Sequence, residues 1–214
     1  MTIGSLIGTI ANRILSGIVK GLDLIGIHPN LLTVFGLVVN GWAAWLFSRG
    51  EFISAACVVM CAALFDLVDG PVARFSNRVT RFGGFLDSVM DRYSDLVLLM
   101  GLLVYYASID RFGYIVLTAV VMTGSVMVSY TRARAENVIP KCKVGFLERP
   151  ERIVLVIIGG LTEHMAPVLW VLAVFSNLTV IHRIFHTWQA TREFEMAEKI
   201  AAHEVREENS VSAV

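Results

Sequence analysis

Apolar residues run through this chain in long blocks separated by short polar joints, and the blocks are sized for a bilayer. A helix crosses the hydrocarbon with about 20 apolar residues at 1.5 Å each. Six segments serve: about Leu31 to Phe47, Phe52 to Val72, Gly83 to Ala107, Tyr114 to Tyr130, Ile153 to Leu161, and Pro167 to Ile184. The fourth continues as a polar helix toward Glu136, and the fifth is short unless it extends toward His164. Ahead of them, Ile3 to Ile25 repeats Ile, Leu and Val at three- and four-residue steps, with Arg13, Lys20 and Asp23 between. That pattern suits a helix lying in the membrane interface. His28-Pro29-Asn30 then breaks the chain. After Trp188 the residues are mostly charged, which predicts a soluble helix fraying into a disordered Ser-Val-Ser-Ala-Val end. The expected fold is all-α and integral to the membrane. An interfacial amphipathic helix (1–28) precedes a six-span domain (29–188), and a charged cytoplasmic tail (189–214) follows.

Composition supports the membrane class: 56% of the 214 residues are hydrophobic, 17% are charged, and mean hydropathy is +0.67. Formal net charge is zero, and no nucleic-acid partner is expected. The distribution of charge is more informative than its sum. Joints after odd-numbered spans hold Arg49 and Arg111 and little else that is basic. Joints after even-numbered spans hold Arg74, Arg78 and Arg81, then Arg132, Arg134, Lys141, Lys143, Arg149 and Arg152. The positive-inside tendency places both termini and these joints in the cytoplasm, in a multi-pass protein of the inner (cytoplasmic) membrane. No removable signal peptide is expected. Cys57, Cys61 and Cys142 form no disulfide framework, and Cys57 and Cys61 read as small packing residues.

Within this apolar chain lies one acidic block. Asp66 and Asp69 are three apart at the end of the second span; Asp87 and Asp91 are four apart at the start of the third. On neighbouring antiparallel helices the two pairs converge near the cytoplasmic membrane surface. Ionisable residues inside a bilayer segment are costly and mark sites. Like charges that close repel unless a cation lies between them, so the block reads as a divalent-metal site. Hard carboxylate oxygens suit Mg²⁺ or Mn²⁺. Two other readings use the same acids: ion pairs with Arg74, Arg78 and Arg81, and a divalent metal transporter or channel. A transporter needs a polar path across the membrane, and the outer halves of the spans are nearly free of charge.

The spacing Asp-x2-Asp-Gly-x2-Ala-Arg-x8-Gly-x3-Asp-x3-Asp resembles the signature of the CDP-alcohol phosphotransferase (CDP-alcohol phosphatidyltransferase) family. Asp66, Asp69, Gly70, Ala73, Arg74, Gly83, Asp87 and Asp91 fill every fixed position. The resemblance implies transfer of a phosphatidyl group from CDP-diacylglycerol to an alcohol, with release of CMP, by a homodimer. It implies that the four aspartates hold two divalent ions and that Asp91 is the general base. It further implies that Gly70, Ala73, Arg74 and Gly83 line the CDP-lipid site, with Thr33 of the first span near the nucleotide.

A second polar group flanks the joint before the fifth span: Arg132 and Arg134 on one side, Arg149 and Arg152 on the other. Arginines near a metal site suit a phosphorylated acceptor. They also suit positive-inside charge paired with Glu136, Glu148 and Glu151. The pairing of Ser-Tyr-x-basic-Ala-Arg-Ala-Glu with Glu-Arg-Pro-Glu-Arg resembles the phosphatidylinositol-phosphate synthase branch, although Arg132 stands where that branch has lysine. The branch implies a soluble polyol phosphate, inositol phosphate, as acceptor, bound by Arg132, Arg134, Arg149 and Arg152. Glycerol 3-phosphate, as used by a phosphatidylglycerophosphate synthase, is the alternative. His182 and His186, one turn apart, read as helix-end residues beside Arg183.

Overall fold

The computed structural model describes residues 29–75 and 79–211; for 29, 67–71, 73, 75 and 197–211 the backbone alone is described. The expected interfacial helix over 1–28 lies outside these residues. Among the described residues there are six α-helices and no strand: α1 (Pro29–Ser48), α2 (Phe52–Phe75), α3 (Arg81–Ser108), α4 (Phe112–Ala135), α5 (Arg149–Leu161) and α6 (Met165–Val211).

Each helix follows one of the apolar blocks, and local chemistry sets the ends. Pro29 opens α1, where a missing N–H costs nothing. Thr80 caps α3, its hydroxyl accepting from the Gly83 N–H at 2.9 Å. Pro150 lies in the first turn of α5. Three joints are turns of only three residues. In the first, Gly50 adopts a left-handed conformation (φ 78°), and the Gly50 and Glu51 N–H groups return to Phe47 and Leu46. Asp110 (φ 54°) closes the α3–α4 turn in the same way, and Glu163 (φ 56°) sits in the α5–α6 turn. The other two joints, after α2 and α4, are longer and carry the polar residues.

Pairwise packing closes the helices into a ring. α1 lies on α2 and α3, α3 on α4, α4 on α6, α6 on α5, and α5 on α2. Phe47, Ala55, Val59, Leu98, Leu102, Val121, Leu169 and Leu172 fill its core. Lipid is as apolar as leucine, so helices in a membrane associate through close packing of small residues. At Gly101 the α1 and α3 backbones meet so closely that a methyl would stand 2.2 Å from the Ala44 carbonyl oxygen. Large apolar side chains cover the outside instead, among them Leu31, Val38, Trp42, Leu64, Val154, Trp170 and Ile181. Soluble monomers rarely expose so much apolar surface.

Three helices are long and apolar enough to cross a membrane by length and composition: Asn30–Ser48, Phe112–Ala135 and Met165–Met196. In α2 the shorter stretch Phe52–Asp66 is apolar. α2, α3 and α5, which interrupt their apolar runs with charge or are short, are the helices that carry the acidic block and its arginines.

One expectation needs correction. Cys57 and Cys61 do not pack inside the bundle; both are exposed on α2, because the helix turns that face away from α1 and α5. α6 runs unbroken for 47 residues, about 70 Å, and its last part is helical after Trp188, since no Gly or Pro follows Pro167 to stop it.

Gly101→Ala is expected to lower stability by about 1–3 kcal/mol through overpacking against backbone. Gly113→Ala, where a methyl meets nothing within 4 Å, should leave stability unchanged or slightly raised. Thermal denaturation of both variants in detergent checks the contrast; equal melting temperatures would remove the close α1–α3 contact as a determinant.

Candidate active site

The carboxylates of α2 and α3 meet the arginines of α5 inside the ring. Asp66 reaches across from α2, and its Oδ1 lies 3.0 Å from where a Cβ on Gly36 of α1 would stand. A side chain on Gly36 would therefore push Asp66 away. From α3, Asp87, Asp91 and Asp95 follow one another at helical spacing, so they share a face. Arg149, in the first turn of α5, enters between them. Its Nη2 lies 2.7 Å from Asp66 Oδ2, its Nη1 2.9 Å from Asp91 Oδ1, and its Nε 3.4 Å from Asp95 Oδ1. One turn on, the nearly buried Arg152 bonds Asp95 Oδ2 at 2.6 Å. Asp95 is thus paired with Arg152, with Arg149 beside it, whereas Arg92 donates to the Ser88 carbonyl on its own helix.

Asp66 and Asp91 thus flank one cation, the Arg149 guanidinium. Such a donor set, all hard carboxylate oxygen, fits Mg²⁺ or Mn²⁺ in kind. Among the described residues no three His, Cys, Asp or Glu side chains form a metal-holding group by themselves. Asp69 lies one turn beyond Asp66 on α2, with only its backbone described.

The residues expected at a CDP-lipid site fall at one end of the ring. Thr33 is buried in α1, and Gly70 and Ala73 lie in the last turns of α2. Arg74, a residue further on, is exposed. Gly83 begins α3, where a Cβ would stand 3.3 Å from Asn30 Oδ1. The start of α1 and the start of α3 are therefore neighbours, although Asn30 and Gly83 are 53 positions apart in sequence.

Next to the carboxylates opens a cavity of about 140 Å³, lined by Asp91, Ser129, Arg132, Arg149, Arg152 and Arg183 among others. Arg134 is exposed and is not among its lining residues, because it lies two positions from Arg132 and so points elsewhere on α4. Arg132 is held by Glu136 at 3.1 Å and by Glu148 at 3.3 Å.

Arg183 was missed as a site residue by the sequence reading, which placed it at the end of the sixth span. It is 2% exposed, donates to the Val144 carbonyl at 2.8 Å and to the Val128 carbonyl, and pairs with Glu148 at 3.4 Å. An ionisable residue within an apolar span was signal enough to single it out. Together with Thr179, whose hydroxyl accepts from the Phe146 N–H at 3.1 Å, it straps the α4–α5 joint onto α6 and shapes the cavity wall.

The ring and its charged interior define a helical membrane protein whose central cavity is built from carboxylates facing arginines. The sequence profile of CDP-alcohol phosphatidyltransferases matches residues 26–190, and the chain belongs to that family of transferases. It is 35% identical over 187 residues to the phosphatidylinositol phosphate synthase of Mycobacterium tuberculosis (strain ATCC 25618 / H37Rv), covering 82% of this chain and 86% of that protein. It is 34% identical over 173 residues to the archaetidylinositol phosphate synthase of Methanothermobacter thermautotrophicus, covering 78% and 86%. The crystal structure of M. tuberculosis phosphatidylinositol phosphate synthase with CDP-DAG bound superposes with a TM-score of 0.76 at 33% identity, over 82% of this chain and 94% of that one. The same enzyme in complex with manganese and citrate gives 0.75 at 34% identity, over 81% and 88%.

Asp95→Leu is expected to cost about 3–5 kcal/mol, because it leaves Arg152 charged and buried without its partner. Pairing it with Arg152→Met should recover most of that loss. Melting temperatures of the single and double variants check this, and a double variant no more stable than the single would show that Arg152 answers to other partners.

Proposed function

We propose that this enzyme transfers the phosphatidyl group of CDP-diacylglycerol to an inositol phosphate and releases CMP. The observation that carries the reading is the arginine-walled cavity opening beside Asp91. Several fixed guanidinium groups in one small chamber suit a phosphomonoester, and the forked geometry of arginine matches phosphate oxygens. Relatives at 34–35% identity are a phosphatidylinositol phosphate synthase and an archaetidylinositol phosphate synthase, and a similar solved enzyme was crystallised with CDP-DAG bound.

In the proposed reaction the acceptor hydroxyl oxygen bonds to the phosphorus carrying the diacylglycerol, the anhydride bond to CMP breaks, and CMP leaves with that bond's electrons. The hydroxyl proton passes to Asp91, the carboxylate at the mouth of the acceptor cavity. Arg132, Arg152 and Arg183 hold the acceptor phosphate, with Arg149 at the floor between the cavity and the acids. Arg134 is at most a peripheral contact. Gly70, Ala73, Arg74, Gly83 and Thr33 form the CDP-lipid site. Asp66, Asp69, Asp87 and Asp91 hold two divalent ions, Mg²⁺ or Mn²⁺, which when bound neutralise the pyrophosphate and polarise the reacting oxygens. The manganese complex of a similar enzyme supports a divalent ion.

The same reading assigns six spans over 29–188 in the inner membrane, both termini and the active site on the cytoplasmic side, a cytoplasmic end to α6, and a homodimer. The three tight turns then lie outside and the two longer joints, with Arg78 in one and Lys141 and Lys143 in the other, inside.

CMP release by the purified protein with CDP-diacylglycerol and Mg²⁺ should occur with inositol phosphate and not with myo-inositol, glycerol 3-phosphate or serine. Release with glycerol 3-phosphate alone would reassign the acceptor. Asp91→Asn should reduce turnover by about 10²–10⁴-fold in a folded protein; near-normal turnover would remove it from the base role. Arg132→Ala should raise the acceptor KM about tenfold, the scale of one charge-assisted hydrogen bond at a partly exposed site, and leave that for the lipid donor unchanged. An equal rise in both would argue against this cavity as the acceptor site.

A further inference from the structure

A second opening meets the carboxylates from another side, and a buried amide without a partner faces it. The groove has a volume of about 280 Å³ and lies between α1, α2 and α5. Asp66 and Arg149 stand at one end, and Val59, Ile153 and Ile157 are among its apolar walls. Asn40 of α1 also lines it. Asn40 is only 3% exposed, and its Oδ1 has no hydrogen-bond partner among the described residues. A buried polar group left so is rare and calls for an explanation.

The position of Asn40 supplies one. It is four residues beyond Gly36, on the same face of α1, and Gly36 is the residue that abuts Asp66. Asn40 therefore lies about 6 Å further along α1 than the carboxylate. In a CDP-linked diacylglycerol, the glycerol and its two ester carbonyls follow the phosphate at about that reach, before the acyl chains begin. An ester carbonyl is an acceptor only. The oxygen and nitrogen of an asparagine amide exchange by a half-turn, so Asn40 presents N–H₂ to the groove as readily as Oδ1.

We propose that Asn40 reads the glycerol-ester region of the lipid donor, its amide donating to an ester carbonyl while the phosphate lies at Asp66 and the acyl chains follow the apolar walls. This makes Asn40 a specificity residue for ester over ether lipids. It rests on CDP-diacylglycerol being the donor.

The test compares CDP-diacylglycerol with its dialkyl ether analogue of equal chain length, using CMP release at saturating inositol phosphate. The ether lacks the carbonyl. Wild-type enzyme should show a donor KM about 5–20-fold lower for the ester, the range of one buried hydrogen bond. Asn40→Leu should raise the ester KM by that factor and leave the ether KM and the acceptor KM where they were, so that the two donors become equal. A wild-type enzyme indifferent to ester and ether overturns the proposal, whether or not the variant folds. So does an Asn40→Leu enzyme that keeps the wild-type ratio, which would mean that a buried water or packing accounts for the amide. No CMP from either donor with any acceptor would overturn the donor assignment itself, and this inference with it.

Discussion

The ion network of Arg149 and Arg152 with Asp66, Asp91 and Asp95 is the constraint around which the bundle is organised. It joins three helices, α2, α3 and α5, that are individually too charged or too short to be strongly apolar spans. None of these charges is cheap to bury. Taking a carboxylate or guanidinium out of water costs several kcal/mol, and only a well-placed counter-charge offsets it. The three helices therefore gain from meeting one another, and the ring closes around the place where they meet. The apolar helices α1, α4 and α6 supply the lipid-facing bulk. The polar helices supply the reason for a fixed register. Asp95 and Arg152 are the almost wholly buried part of the network, and Arg152 also lines the cavity beside it. Asp66, Asp91 and Arg149, each about one-fifth exposed, are its more open part.

A second set of bonds shapes the chamber beside this network. The α4–α5 joint has thirteen residues with no helix of their own, from Glu136 to Glu148. It is tied to α6 by Thr179 and Arg183, and Gly145 (φ 141°) sits where a Cβ would meet Thr179 at 2.5 Å. The strap brings Glu148 between Arg132 and Arg183, so two guanidinium groups share one carboxylate. A cavity with an excess of fixed positive charge is thereby held open without collapsing onto its own acids.

The helices were legible in the sequence because apolar periodicity and end signals are local. Pro29, in the break ahead of the first apolar block, opens α1. The acid cluster was legible for a similar reason: a step of four puts Asp87 and Asp91 on one face of one helix. Helical spacing says which residues share a face, and it does not say what that face meets. Arg134 therefore could not be told from Arg132 as a cavity residue. Cys57 and Cys61 were misread because in a membrane bundle an apolar face turns outward as readily as inward. Arg183 was overlooked because its position near the end of a span suggested solvent, whereas the strap folds back over it.

Two openings reach the acid cluster, one at Asp91 and the other at Asp66, and they are divided by Arg149 and Pro150, which line both. One is walled by arginines, the other by aliphatic side chains of α2 and α5. Displacement at phosphorus asks for an attacking oxygen and a leaving oxygen on opposite sides of the atom being transferred. In the proposed reaction, a charged entrance and an apolar entrance would keep a water-soluble acceptor and a membrane-bound donor from competing for one route. The start of α5 is the partition. Its first turn must be helical for Arg149 to reach both Asp66 and Asp91, and Pro150 favours that turn because its φ is already fixed. The shortest helix of the bundle, 13 residues long, thus does what a longer apolar span could not: it begins inside the ring, with its charged turn between the two openings.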